Sequence, residues 1–147
     1  MLFRSAEILS RFAGGTVTPV LVDGRAPEVV GASDVAVVAS GTAVLEAGLM
    51  QRPLVVVYRL STISYWVGRL LVRVAHVSLV NLLAGRRLVP ELLQGQLTPA
   101  RITSEVQRLW IGPDRERVVA GLAEVRAALG SPGAAARAAR EVLSLIP

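Results

Sequence analysis

Apolar positions along the chain change their period several times, and each change marks an element. Residues 2–12 place Leu2, Ile8, Leu9 and Phe12 at helical spacing and run into Gly14-Gly15, which predicts a helix and its stop. Residues 17–22 form a short apolar run closed by Asp23-Gly24, the pattern of a strand. A helical turn over 27–32 then leads to a second strand over 35–39 and a second helix over 42–50. Pro53 introduces a third strand over 54–58, continuously apolar. Strands of this kind, separated by helices, predict an α/β fold with parallel pairing and both faces of the sheet covered.

The second half reads as mainly helical. Residues 61–76 are amphipathic, with Ile63, Val67, Leu70, Leu71 and Val74 on one side and Thr62, Arg69, Arg73 and His76 along another. Tyr65 and Trp66 near its start, with Arg69 and Arg73 beyond, suit a helix lying in a membrane interface; they equally suit a helix packed on the sheet with its arginines in water. Asn81 is embedded in the apolar run 77–84, so it has a buried hydrogen-bonding task, either bridging the backbone or meeting a ligand. Residues 88–94, carrying Glu91 and Gln94, read as a short helix. The tail over 98–147 adds helices opened by Thr98-Pro99, Pro113 and Ser131-Pro132, expected to fold back on the sheet or on a partner chain.

Chemistry concentrates where the second strand meets the second helix, at Ala39-Ser40-Gly41-Thr42-Ala43-Val44-Leu45-Glu46. A helix start offers free N–H groups and the positive end of the peptide dipoles, which suits phosphate. Gly41 admits a ligand close to the backbone and Thr42 adds a hydroxyl, while Glu46, one turn on, is placed to accept hydrogen bonds from a sugar. A plain Ser-capped helix after a buried strand fits the same eight residues. In parallel sheets ligands gather beyond the carboxyl ends of strands, where this junction falls.

Composition narrows the classes. At 147 residues the chain suits one domain, or one piece of a larger protein. It is 52% hydrophobic with a mean hydropathy of +0.53, which is globular and unusually apolar. The net charge of +5 favours anionic partners, but the arginines are scattered and lack a stacking platform, so nucleic acid is not expected. The absence of cysteine excludes disulfides and thiolate chemistry, and a lone histidine, His76, makes no metal site. No stretch is long and apolar enough to span a bilayer, and the first residues do not read as a signal peptide.

Five blocks in order give a resemblance: Ala32-Ser33-Asp34; Ala39 through Glu46; Pro53 through Tyr58-Arg59; Val77-Ser78-Leu79-Val80-Asn81-Leu82-Leu83-Ala84-Gly85-Arg86; and Pro90-Glu91-Leu92-Leu93-Gln94. Together they resemble the carboxyl-terminal half of the lipid-A-disaccharide synthase family, membrane-surface glycosyltransferases of the GT-B type, over roughly residues 20 to 110. The resemblance implies a Rossmann-like nucleotide-sugar domain in which Ser40, Gly41, Thr42 and Glu46 hold the nucleotide and Tyr58, Arg59, Asn81, Glu91 and Gln94 lie in or near the cleft. It implies inverting transfer from a UDP-activated, diacylated glucosamine to a diacylglucosamine 1-phosphate, with neither metal nor organic cofactor. It further implies a cytoplasmic place at the inner face of the cell membrane and a homo-oligomer, or an amino-terminal domain that completes the site. The family's Gly-Ser-Arg opening segment is missing from this sequence and no catalytic base can be nominated. The chain is therefore expected to be a fragment, a mis-started reading frame or a divergent relative; a non-catalytic membrane-surface or interaction module is the alternative.

Overall fold

The computed structural model describes residues 16–61, 76–131 and 133–145. The helix read over 2–12 and residues 62–75 of that read over 61–76, with Tyr65, Trp66, Arg69 and Arg73, lie outside the described residues. In chain order the elements are α1 (Ala26–Ala32), β1 (Ala36–Ala39), α2 (Thr42–Leu49), β2 (Leu54–Tyr58), α3 (Leu79–Ala84) and β3 (Glu91–Leu93). A 3-10 turn (Gln94–Gln96), α4 (Pro99–Trp110), α5 (Pro113–Ala128) and α6 (Ala134–Ser144) follow.

The strands form a three-stranded parallel sheet in the order β1-β2-β3, flanked by helices as in a Rossmann-like half-domain. Its register pairs Ala36 with Leu54 and Ala39 with Val57 on one side of β2, and Val56 with Glu91 and Tyr58 with Leu93 on the other. As the central strand, β2 is the most apolar, and Leu54, Val55 and Val56 are wholly buried. The core continues through Val44 and Ala47 of α2, Val80 of α3, Leu109 of α4, and Val118, Leu122 and Val125 of α5. Helices α2, α3 and α5 pack on one another, and α4 packs on β2 and α5. Gly48 makes the first of these contacts possible: a Cβ there would stand 2.8 Å from Cγ2 of Val80, a stiff β-branched side chain.

Helix starts follow the local chemistry. Thr98 accepts a hydrogen bond from the N–H of Arg101 ahead of Pro99, Ser78 accepts from Asn81, and Gly85 closes α3 at a φ of 63°. Arg115 ties the start of α5 to the chain before β1, donating to the carbonyl of Asp34 at 2.7 Å.

Three expectations are corrected. Residues 17–22 make no strand and are exposed, Val17 at 75% and Val20 at 82%; Pro19 sits inside the run and removes the N–H a ladder needs. Residues 88–94 are not a helix, because Pro90 disfavours helical backbone at Val89 and Glu91–Leu93 instead satisfies the open edge of β2. Among the described residues cover on the sheet is incomplete at β1, which lies at the edge and whose Val37 is 47% exposed. In the tail, α4 and α5 contribute to the core, whereas α6 buries no residue and exposes Val142 and Leu143.

Candidate functional site

Parallel strands bring three chain exits to one edge of the sheet. After β1 the chain turns through Ser40-Gly41 into α2; after β2 it continues as Arg59-Leu60; after β3 it enters the turn begun by Gln94. Neighbouring strands lie about 4.8 Å apart, so Ser40 and Tyr58-Arg59 are adjacent and Gln94 is one strand further on. The N–H of Ser40 donates to the carbonyl of Val57 at 3.0 Å, extending the β1–β2 ladder into the turn and fixing where α2 begins.

That beginning is open. Gly41, Thr42 and Ala43 are exposed, and a Cβ placed on Gly41 would meet nothing within 4 Å. The N–H of Val44 folds back to the carbonyl of Gly41 at 3.2 Å, while the N–H groups of Gly41, Thr42 and Ala43 donate to no acceptor among the described residues. Ser40 makes no side-chain cap. Three backbone donors, the positive end of the α2 dipole and the Thr42 hydroxyl therefore share one accessible corner. Glu46, also exposed, stands one turn along the same helix face. Arg59 is exposed beside them, with no acidic partner among the described residues.

Asn81 and Glu91 are placed differently. Asn81 is fully buried and uses its whole amide: Oδ1 accepts from the N–H of Leu88 at 2.8 Å and of Val89 at 2.9 Å, and Nδ2 donates to the carbonyl of Val89 at 2.9 Å and to Glu91 Oε1 at 2.8 Å. Glu91 accepts from the N–H of Ser78 at 2.9 Å and of Val77 at 3.1 Å. Burial alone pushes the Glu91 carboxyl up, but the hydrogen bonds from Ser78, Val77 and Asn81 together outweigh it and hold the group below its ordinary value. This node joins the approach to β3, its first residue and the start of α3 behind the open edge. Ser78, which caps α3 and also serves Glu91, escaped the sequence reading; a Ser directly ahead of the apolar run 79–84 was the available signal.

Gln94 works at the edge itself. Its Oε1 accepts from the N–H of Leu60 at 3.0 Å and its Nε2 donates to the carbonyl of Leu60 at 3.1 Å. With Tyr58, Val77 and Leu93, these two residues line a small apolar cavity of about 60 Å³. A larger groove of about 330 Å³, lined by Arg87, Arg101, Glu105, Arg108 and Arg117, lies toward the amino-terminal edge of the sheet, away from the α2 corner. Among the described residues no group of three His, Asp or Glu side chains could hold a metal, and no helix is long and apolar enough to cross a membrane.

Comparison with known proteins attaches a family to this arrangement. A family model described as lipid-A-disaccharide synthetase matches residues 4–129. The lipid-A-disaccharide synthase of Myxococcus xanthus is 72% identical over 142 residues, covering 96% of this chain and 37% of that relative. The protein of the same name from Anaeromyxobacter dehalogenans strain 2CP-1 is 62% identical over 128 residues, 86% of this chain and 33% of the relative. That of Geobacter metallireducens is 38% identical over 142 residues. The chain thus spans about a third of the length of the curated relatives it matches. Both the ordered blocks along the sequence and these matches lead to one assignment: the chain belongs to the lipid-A-disaccharide synthetase family.

Proposed function

We propose that this chain supplies the donor-nucleotide half of a lipid A disaccharide synthase-like glycosyltransferase, with the diphosphate of a UDP-activated, acylated glucosamine seated on the first amides of α2. The single observation that carries this reading is the open α2 corner, where the N–H groups of Gly41, Thr42 and Ala43 meet no acceptor among the described residues. Ser40 and Thr42 add hydroxyls, Glu46 accepts from the ribose, and Arg59, with no acidic partner among the described residues, lies at the same edge.

In an inverting transfer the bond from the anomeric carbon to the diphosphate oxygen breaks as the acceptor hydroxyl attacks the opposite face. Negative charge then grows on the departing UDP. Fixed amides and a guanidinium aimed at it stabilise that charge more in the transition state than in the bound donor, which is how such a corner accelerates the reaction. The reading assigns none of the described residues as the base that takes the acceptor proton, and it calls for no metal or organic cofactor. Asn81 and Glu91 act from behind, by holding the start of α3 against β3.

The acyl chains of both substrates place the reaction at a bilayer, on the inner face of the cell membrane, and the exposed apolar side of α6 suits self-association. Isothermal titration with UDP tests the assignment. The intact chain binds, and the double substitution Thr42→Ala with Glu46→Ala lowers affinity by at least about tenfold, as expected for lost hydrogen bonds to charged or polar ligand groups. A chain that takes up no UDP contradicts it. The exposed Val142, Leu143 and Leu145 favour a second reading, a non-catalytic membrane-surface or interaction module; vesicle co-sedimentation unchanged by the double substitution, with no UDP uptake, selects that reading.

A further inference from the structure

Gln94 carries a cost that its neighbour would not. Its φ is 48°, in the left-handed region where an L-residue other than Asn, Asp or Gly is uncommon, yet Gly95 beside it lies outside that region. A turn that needed only the backbone geometry would put the glycine at position 94. The side chain at 94 must therefore contribute something that offsets about 1 kcal/mol of strain.

Its contacts say what that is. Both atoms of the Gln94 amide are engaged by one residue, Leu60, 34 positions earlier in the chain, in the reciprocal pattern of a strand pair. Leu60 lies two residues beyond the end of β2, where the regular ladder has stopped. The clamp thus prolongs β2 by side-chain means and fixes the path of Arg59 between Tyr58, held in register with Leu93, and Leu60. Glu91, at the head of the same strand, grips Val77 and Ser78 on the other side of the small apolar cavity. Both amide bonds to Leu60 are exposed to water, so they contribute little to global stability and much to local order.

We infer that Gln94 is a positioning residue: by holding the main chain of Leu60 it keeps Arg59 beside the Ser40-Gly41-Thr42 corner, ready to meet a ligand phosphate. The inference rests on the donor-site reading above for its ligand, and on geometry alone for its clamp.

Two substitutions separate strain from contact. Gln94→Met keeps the volume and the strained backbone but loses both hydrogen bonds; Gln94→Gly loses the bonds and relieves the strain. Hydrogen exchange and urea unfolding are read on the intact chain, with UDP as the titrant. The expected result is Leu60 amide exchange accelerated about tenfold or more in both variants, with the global transition of Gln94→Gly unchanged or raised. UDP affinity falls about tenfold in both, with the free amides of Thr42 and Ala43 unaltered. Unchanged Leu60 exchange overturns the clamp. Faster Leu60 exchange with unchanged UDP affinity overturns the positioning role. A wild-type chain that takes up no UDP overturns the donor-site reading and the ligand end of this inference, whereas the Leu60 exchange arm still decides the clamp by itself.

Discussion

The Asn81–Glu91 node, where β3 begins, and the α2 corner, where β1 finishes, are both polar, yet they are opposites in hydrogen bonding. Every donor and acceptor of the Asn81 amide is matched inside the protein, and the residue is sealed from water. At the corner, three amides stand in the open without acceptors among the described residues. A satisfied buried network fixes structure, because removing one member strands the others in a medium that cannot solvate them. An unsatisfied exposed one has little structural value and full capacity for a ligand. The contrast separates residues that shape the site from those free to touch what binds there.

Substitutions can break that contrast, the largest effect coming from the closed side. Asn81→Leu leaves the N–H groups of Leu88 and Val89 and the Glu91 carboxylate short of partners, and should cost roughly 3–5 kcal/mol, read as a lowered urea midpoint. Glu91→Gln turns an amide nitrogen toward donors and should cost about 2–3 kcal/mol at neutral pH. Because the folded Glu91 carboxyl is held below its ordinary value, its contribution is complete above the unfolded carboxyl's pKa of about 4.3 and is lost as pH falls through the lowered folded value. The wild-type stability curve should therefore drop on the acid side, and that part of the drop should vanish in Glu91→Gln. Gly48→Ala pushes a methyl into Val80 and should cost on the order of 1–2 kcal/mol by the same urea measurement. Thr42→Ala, on the open side, should move stability by no more than about 0.5 kcal/mol while weakening nucleotide uptake. A Thr42 variant as destabilised as the Asn81 variant would erase the distinction.

The same contrast explains what the sequence disclosed. Strands 35–39 and 54–58 and helix 42–50 were legible because an apolar run, a glycine turn and a helical period are local signals, and all three recur in the structure within a residue at each end. Asn81 announced a buried task, but its partners at Leu88, Val89 and Glu91 depend on how α3 returns to the sheet, which no local pattern encodes. Residues 88–94 misled for a related reason: Leu-rich sequence favours helix until the free edge of β2 offers it a ladder. Residues 17–22 have the hydropathy of a strand, but Pro19 within that run removes a donor the ladder needs and outweighs it. The Gln94–Leu60 clamp left no trace in periodicity, because it joins two chain exits that only the sheet order makes neighbours.

The most direct test of the account is a nuclear magnetic resonance titration of the isotopically labelled chain with UDP. Saturable shifts confined to the amides of Gly41, Thr42 and Ala43 and to Arg59, with Leu88 and Val89 silent, are the predicted result. Silence at the α2 amides throughout the titration, or shifts centred on the amides that Asn81 holds, would contradict it.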